Sequence, residues 1–179
     1  SRYLAAFLQE AAAAKETDIH GFMVLRNGYV IGEYNFAPYQ KGIWHIEHSM
    51  CKSITGMAIG LLISEGKLAL DDKIVKIFSK SSLLGNMRQK NITVEHLLTM
   101  TSGVVFNELG IVSGDDWVKS FLDSSVSGAP GERFEYNSMN SYMLSAIVTE
   151  LTGETLVEYL TPRLFEPLGI RKFFWESCP

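Results

Sequence analysis

Two serines in the chain are each followed by a lysine three positions later: Ser49 by Lys52 and Ser64 by Lys67. Residues i and i+3 of a helix share one face, so the lysine amine can reach the serine hydroxyl and act as its base. Helical spacing of apolar residues continues after Ser49, whereas Gly66 interrupts the second pair and is typical of a helix end. Ser49 and Lys52 are therefore the candidate nucleophile and base. The alternative is a helix-capping serine beside a surface lysine.

Tyr136-Asn137-Ser138 is the second candidate, and it is the only Tyr-x-Ser or Tyr-x-Asn triplet in the chain. The triplet lies where a strand-like run, 132–136, is predicted to pass into a helix, and side chains at such junctions often project into clefts. A tyrosine beside a lysine ammonium can share its proton and act as a general acid or base. The alternative is a buried tyrosine whose hydroxyl finds a backbone partner.

A metal centre is a further interpretation, because His45, His48 and Cys51 follow one another at intervals of three. We favour loop histidines at the mouth of a cleft instead, since His48 precedes the predicted helix. The sequence contains no G-x-S-x-G, H-E-x-x-H, C-x-x-C or P-loop pattern. We therefore expect neither a metal nor a cofactor.

The elements that must position these residues begin with a helix over the first fifteen residues and a β-hairpin. Asn27-Gly28 lies between two β-rich runs and readily takes the positive φ angles of a two-residue turn. From His48 the pattern is helical, with Ser49 at the opening and an apolar face of Met50, Ile54, Met57, Ala58, Leu61 and Leu62. A serine at that opening would lie at the positive end of the helix dipole, close to backbone N–H groups that can stabilise an oxyanion.

The rest of the chain is predicted to be mainly helical. Short helices are expected at 72–78, after Thr93 as N-cap, and at 115–122, and two longer helical segments at 138–153 and 154–170. The fold class is therefore mixed α+β. We divide the chain into a helix and hairpin over 1–47 and a mainly helical part over 48–179, which carries both motifs.

Four segments in this order resemble the serine β-lactamase and penicillin-binding-protein family, on the side of the class C β-lactamase-related hydrolases. They are HSMCKSITGMAIGLLISEGKLALDDKI, ITVEHLLTMTSGV, FEYNSMNSYMLSAIVTELTG and LFEPLGI. The resemblance implies that Ser49 is the acylated nucleophile, Lys52 its base, Tyr136 a proton shuttle and Ser138 a substrate-binding group. It also implies an acyl-enzyme hydrolase of a β-lactam, D-alanyl peptide, ester or small amide. The alternative is a penicillin-binding or sensor domain that does not hydrolyse its ligand.

The sequence departs from the family pattern at two points. Ser138 offers a hydroxyl where many relatives have an asparagine amide, so the substrate contact there is expected to differ. The family's third motif, Lys-Thr-Gly or His-x-Gly, has no counterpart after Tyr136. We therefore expect an N-terminal portion that lacks the C-terminal strands of the sheet and has weak activity. Its exposed hairpin edge would either pair with a second copy or belong to a longer protein.

Composition limits the partners. The 179 residues carry 16 Lys+Arg and 20 Asp+Glu, for a net charge of −4, and no basic run. Binding to nucleic acid or to anionic lipid requires a concentrated basic surface. We therefore expect no nucleic-acid partner. No continuous apolar stretch approaches the length of a membrane span, so we expect none. The family resemblance implies a small-molecule substrate. The two cysteines leave the redox compartment open, and the sequence does not indicate a localisation.

Overall fold

A computed structural model describes residues 2–79, 89–105 and 116–177. The chain divides into two compact units, 1–47 and 48–179. The first unit contains helix α1 (Arg2–Ala13) and an antiparallel hairpin of β1 (Gly21–Arg26) and β2 (Tyr29–Asn35). Asn27 and Gly28 connect the strands with φ angles of 50° and 79°, which confirms the predicted two-residue turn.

Aromatic and small residues bring α1 against the hairpin in this first unit. The Phe7 and Phe22 ring centroids lie 5.2 Å apart. At Gly32 of β2, a Cβ atom would lie 2.9 Å from Leu4 Cδ2, so glycine permits the close approach of the helix. Among the described residues 2–47, none is fully buried. The unit is therefore held by half-buried contacts and by the strand ladder.

The second unit begins with a 3₁₀ turn, His48–Met50, that continues directly into helix α2 (Cys51–Ser64). The helix ends as predicted at Gly66, whose φ is 69°. Gly66 N donates to Ile63 O and Lys67 N to Leu62 O, which is the hydrogen-bond pattern of a Schellman motif. The predicted apolar face is partly wrong: Met50 and Met57 are exposed, and the buried residues are Thr55, Ala58, Ile59 and Leu62. The buried face of α2 is therefore narrower than the predicted apolar face.

Three short helices follow α2, as the sequence predicts. They are α3 (Ile74–Ile77), α4 (Val94–Leu98) and α5 (Trp117–Asp123), with a 3₁₀ turn at Gln89–Asn91. Thr93 caps α4 as expected, since its hydroxyl accepts from His96 N and the His96 ring accepts from Thr93 N. Asp116 caps α5, while the predicted start of that helix, 115, lies outside the described residues.

The last two predicted helices form, but the strand before them does not. Helix α6 (Ser138–Thr152) ends at Gly153, and α7 (Leu156–Leu160) runs into a single π turn, Thr161–Phe165. The prediction of a strand at 132–136 is wrong, because none of these residues belongs to a strand. Within this segment, Glu132 N donates to Ala129 O and Glu135 N donates to Met100 O.

The core of the second unit lies between α2 and α6, with α4, α5 and α7 around them. Its largest fully buried side chains include Ile59, Leu62, Phe121, Met143, Ile147 and Tyr159. The mixed α+β class is confirmed, with a two-stranded sheet and predominantly helical structure in the described residues. Among those residues, no helix combines the length and apolar character needed to cross a bilayer.

Candidate active site

Ser49 lies in the middle of the 3₁₀ turn that precedes α2, and it is exposed. The expectation that Ser49 opens the α-helix itself is therefore wrong by one turn, because α2 begins at Cys51 and Met50 occupies the capping position. A 3₁₀ turn is tighter than an α-helical one and commonly begins a helix. Ser49 therefore lies immediately before the first turn of α2.

Lys52 lies in that first turn, and its amine reaches the serine. Lys52 Nζ donates to Ser49 Oγ over 3.0 Å, although the side chain is only half-buried. The junction of a 3₁₀ turn with an α-helix thus gives the contact that the i, i+3 spacing predicts. A continuous α-helix between the two residues is not required.

Tyr136 comes from a distant part of the chain, 87 residues after Ser49, and completes the cluster. Its hydroxyl donates to Ser49 Oγ over 2.7 Å, and Lys52 Nζ lies 5.2 Å from the centroid of its ring. The phenol is 48% exposed, so the cluster faces solvent on one side. We name Ser49, Lys52 and Tyr136 the serine trio.

Both neighbours of Tyr136 are anchored, which fixes the position of its ring. Glu135 N donates to Met100 O over 2.9 Å. Asn137 is buried and caps α6, because its Oδ1 accepts from Met139 N over 2.9 Å. Its Nδ2 donates to Val104 O over 2.9 Å. Tyr136 is thereby tied to the start of α6 and to the segment 100–104.

A second buried asparagine extends this connection. Asn140 Oδ1 accepts from Ser102 Oγ over 2.7 Å, and Asn140 Nδ2 donates to Met100 Sδ over 3.5 Å. None of the sequence-based expectations assigns a role to Asn137, Asn140 or Ser102. An asparagine just before a predicted helix is a capping signal that could have identified Asn137. The bonds to Val104 and Ser102 join residues more than thirty positions apart, and no local pattern indicates them.

The second serine–lysine pair does not come together. Ser64 Oγ donates to Leu61 O over 2.8 Å, and Lys67 Nζ pairs with a Glu65 carboxylate oxygen at 2.8 Å. Lys67, and then Arg163, lower the pKa of Glu65 to about 2. Lys67 therefore belongs to a surface ion cluster at the C-terminal end of α2. Ser64 and Lys67 have different partners, as the interruption at Gly66 predicts.

Ser138 is the first residue of α6, two positions after Tyr136, and is half-buried. Its role toward a substrate stays a prediction. Within the described ranges 2–79, 89–105 and 116–177, no group of three or more His, Cys, Asp and Glu side chains is placed to hold a metal ion. The spacing of His45, His48 and Cys51 therefore does not produce a three-ligand site. Cys51 is half-buried, and Cys178 lies outside the described residues.

The serine trio has the geometry of an activated nucleophile. A serine oxygen has two acceptor lone pairs, and here Lys52 and Tyr136 each donate a hydrogen bond to it. Two donors stabilise the negative charge that develops when the serine loses its proton. When either partner is deprotonated it can instead take up that proton, so one partner can act as base while the other stabilises charge.

Known proteins are similar to this chain in sequence and in fold. Protein flp from Staphylococcus aureus (strain COL) is 31% identical over 127 residues, which cover 67% of this chain and 26% of that protein. Esterase EstB from Burkholderia gladioli is 29% identical over 142 residues, covering 69% of this chain and 36% of that protein. The octameric penicillin-binding protein homologue from Pyrococcus abyssi superposes with a TM-score of 0.72 at 23% identity, over 97% of this chain and 44% of that one.

The chain thus spans about a quarter to a third of the length of these two curated relatives. A family model described as Beta-lactamase matches residues 9–179, which is nearly the whole chain. The resemblance expected from the four sequence segments is confirmed, and the structural match gives the β-lactamase and penicillin-binding-protein fold. This chain belongs to the Beta-lactamase family.

Proposed function

We propose that this domain is a serine hydrolase that forms an acyl-enzyme at Ser49 with an ester, a β-lactam, a D-alanyl peptide or a small amide. The observation that carries the proposal is the serine trio, in which Lys52 and Tyr136 both donate to Ser49 Oγ. A capping serine with a surface lysine would not also attract a tyrosine hydroxyl from 87 residues away. The contact between the two motifs therefore favours the catalytic interpretation.

In the proposed reaction Lys52 Nζ takes up the Ser49 hydroxyl proton, and Ser49 Oγ attacks the carbonyl carbon. The carbonyl oxygen takes the negative charge at the N-terminal end of α2, where the helix dipole is positive. The bond to the leaving group then breaks, and Tyr136 supplies the leaving group's proton and is reprotonated from Lys52. A water molecule hydrolyses the acyl-enzyme by the reverse proton transfers and frees Ser49.

The names of two relatives support ester and β-lactam substrates. One is named an esterase, and one solved structure is named a penicillin-binding protein homologue. Esters and β-lactams share a carbonyl that a serine oxygen can attack, so a single nucleophile serves both. Ser138, at the start of α6, is proposed to donate or accept one hydrogen bond to the polar group beside that carbonyl.

A covalent label tests the proposal directly. We expect a fluorophosphonate or a fluorescent penicillin to add once to the protein, and intact mass spectrometry to show the mass increase. The adduct should be lost in Ser49→Ala and kept in Ser64→Ala, the matched control in the other serine–lysine pair. Release of the penicillin adduct over time would identify a hydrolase, whereas a permanent adduct would identify a sensor. An absent adduct, or one that persists in Ser49→Ala, contradicts the proposal.

The other expected partners are also proposals. The net charge of −4 supports the absence of a nucleic-acid partner. The hairpin carries exposed apolar side chains, among them Met23, Leu25, Val30 and Ile31, and these support pairing with a second copy along its edge. Analytical ultracentrifugation across a concentration series is expected to show a dimer, and a monomer at every concentration would exclude it.

A further inference from the structure

Two histidines of the first unit meet outside the serine trio. His20 immediately precedes β1, and His45 follows β2 by ten residues. Their Nδ1 atoms lie 3.2 Å apart, although the residues are 25 positions apart in the chain. Both side chains are exposed, so the pair is open to solvent. The proposed acyl transfer uses neither residue.

Two side chains, Tyr39 and Asp18, lie close to the ring of His20. The Tyr39 ring stacks on it, with 3.6 Å between centroids and an interplanar angle of 20°. On the opposite side of the imidazole from the Nδ1 contact, Nε2 lies 3.7 Å from Asp18 Oδ2. A carboxylate beside the second ring nitrogen is the usual arrangement around a metal-binding histidine, because it orients the ring and favours the tautomer with a free lone pair at the other nitrogen.

We propose that His20 and His45 bind one divalent transition-metal ion through their Nδ1 atoms. At metal–nitrogen distances of about 2.0–2.1 Å, two nitrogens 3.2 Å apart subtend an angle of roughly 100° at the ion. That angle lies between the square-planar and tetrahedral values, so it suits ions of the zinc, copper and nickel group, which imidazole ligands favour. Water molecules supply the remaining ligands, since the described residues offer no third side chain.

The binding step needs only a change of tautomer. Without metal, one Nδ1 carries a proton and donates it to the other across the 3.2 Å contact. To ligate the ion, both rings are neutral and carry their proton at Nε2, which on His20 faces Asp18. The proton between the two nitrogens moves to Nε2 through solvent, both Nδ1 lone pairs bond to the ion, and no net proton is released.

The ion would link the segment before β1 to the segment after β2. Because none of the described residues 2–47 is fully buried, this unit has few other long-range constraints. A ligand that binds only the folded unit stabilises it in proportion to the logarithm of its concentration relative to Kd. We therefore assign a structural role to the site, in which the ion joins the segments at the two ends of the hairpin.

Isothermal titration calorimetry with Zn²⁺ tests the proposal. We expect one ion per chain in the unaltered protein and an affinity at least about tenfold weaker in His20→Gln and in His45→Gln. Asp18→Asn should weaken binding less, because Asp18 acts only on the ring orientation. His48→Asn is the matched control, since it removes an exposed histidine from outside the pair and should leave the affinity unchanged.

A second measurement uses the protein without substitutions. The electron paramagnetic resonance spectrum of the 1:1 Cu²⁺ complex is expected to show coupling to two imidazole nitrogens. Binding that survives in both glutamine variants, or falls equally in His48→Asn, would overturn the site, as would a Cu²⁺ spectrum with one nitrogen or none. In that case the 3.2 Å contact is a hydrogen bond between the rings and nothing more.

Discussion

Lys52 and Tyr136 approach Ser49 in different ways, one through local geometry and the other through the fold. The Lys52 contact spans three residues, from the 3₁₀ turn into the first turn of α2, so it depends on local structure alone. The Tyr136 contact spans 87 residues and requires α6 to be packed in place. Loss of tertiary structure would therefore separate the tyrosine from the serine before it separates the lysine.

Replacing Lys52 should reduce acylation without unfolding the protein. Lys52→Met keeps an unbranched side chain and removes the amine that donates to Ser49. General-base catalysis contributes about 10²–10⁴-fold, so we expect the acylation rate to fall within that range. A time course of adduct formation by mass spectrometry measures it. Lys67→Met, in the unassembled pair, should keep the original rate.

The outcome that contradicts this role is a Lys52→Met variant that acylates at the original rate. Tyr136→Phe then becomes the informative variant, because it retains the ring and removes only the hydroxyl that donates to Ser49. If Lys52 is dispensable, Tyr136 must be the base, and the loss of rate should appear there instead.

Residue spacing alone predicts the local half of the serine trio. The i, i+3 rule identifies Ser49 with Lys52, and Gly66 excludes the second pair. The meeting of Tyr136 with Ser49 depends on how α2 and α6 pack, so only resemblance to a family indicates it beforehand. Spacing also does not predict the pairing of His20 with His45, because one residue precedes the hairpin in the sequence and the other follows it.

At the scale of elements, the cap of α6 links stability to the site. Asn137→Ala removes the cap and the bond to Val104 O, and we expect it to cost about 1–3 kcal/mol of unfolding free energy. It should also slow acylation, because Tyr136 loses its neighbour's anchor. Urea unfolding and the adduct time course measure the two effects.

Thr155→Ala provides the matched control for this prediction. It removes the capping box of α7, so it should destabilise the protein by about 1 kcal/mol. Its acylation rate under folding conditions should stay unchanged, since α7 carries no residue of the serine trio. Equal slowing in both variants would mean that Asn137 acts only through stability.

The ion cluster at the end of α2 gives a pH dependence of stability. Lys67 and Arg163, with Tyr159, lower the pKa of Glu65 from 4.5 to about 2. A lowered carboxyl pKa stabilises the folded state above pH 4.5, and this stabilisation is lost as the pH falls toward 2. Between pH 5 and about 2.5, the urea midpoint of Glu65→Gln should therefore change less with pH than that of the unaltered protein.

Glu10→Gln, which removes an exposed carboxylate of α1, is the control for that measurement. It should keep the pH profile of the unaltered protein. If Glu65→Gln also keeps that profile, the cluster contributes nothing to folding in acid.

The sequence predicts elements well where the signal is local and less well where a partner is needed. The Asn27-Gly28 turn and the glycine end of α2 each follow from the φ angles of one or two residues. The segment 132–136 has a strand-like composition, yet a strand exists only if a neighbour offers a matching ladder. Glu135 N donates to Met100 O, but no ladder of such bonds forms, so this segment belongs to no sheet in the described structure.

At the scale of the whole molecule, the buried apolar residues lie entirely in the second unit, from Ala58 to Phe165 among the described positions. Amide exchange should report this difference. We expect amides of α6 to exchange at least about 100-fold more slowly than those of β1 and β2, after correction for intrinsic rates. Mass-spectrometric exchange with peptide resolution measures both regions in one sample. Equal protection would show that the hairpin is stabilised by contacts as extensive as those of the helical core.

Helix α2, which follows the serine, is fastened at both of its ends. At the N-terminal end the link is Tyr136 to Ser49, and at the C-terminal end Arg163 Nε and Tyr159 OH donate to Glu65 Oε1 at 3.0 and 3.2 Å. In mechanical terms the helix is a rod about 21 Å long. It is clamped at one end through Tyr136, which precedes α6, and at the other through Tyr159 of α7 and Arg163, which follows α7. A load applied along it is shared by both clamps, so under tension in an optical trap the helical unit should rupture in one step rather than peel from one end.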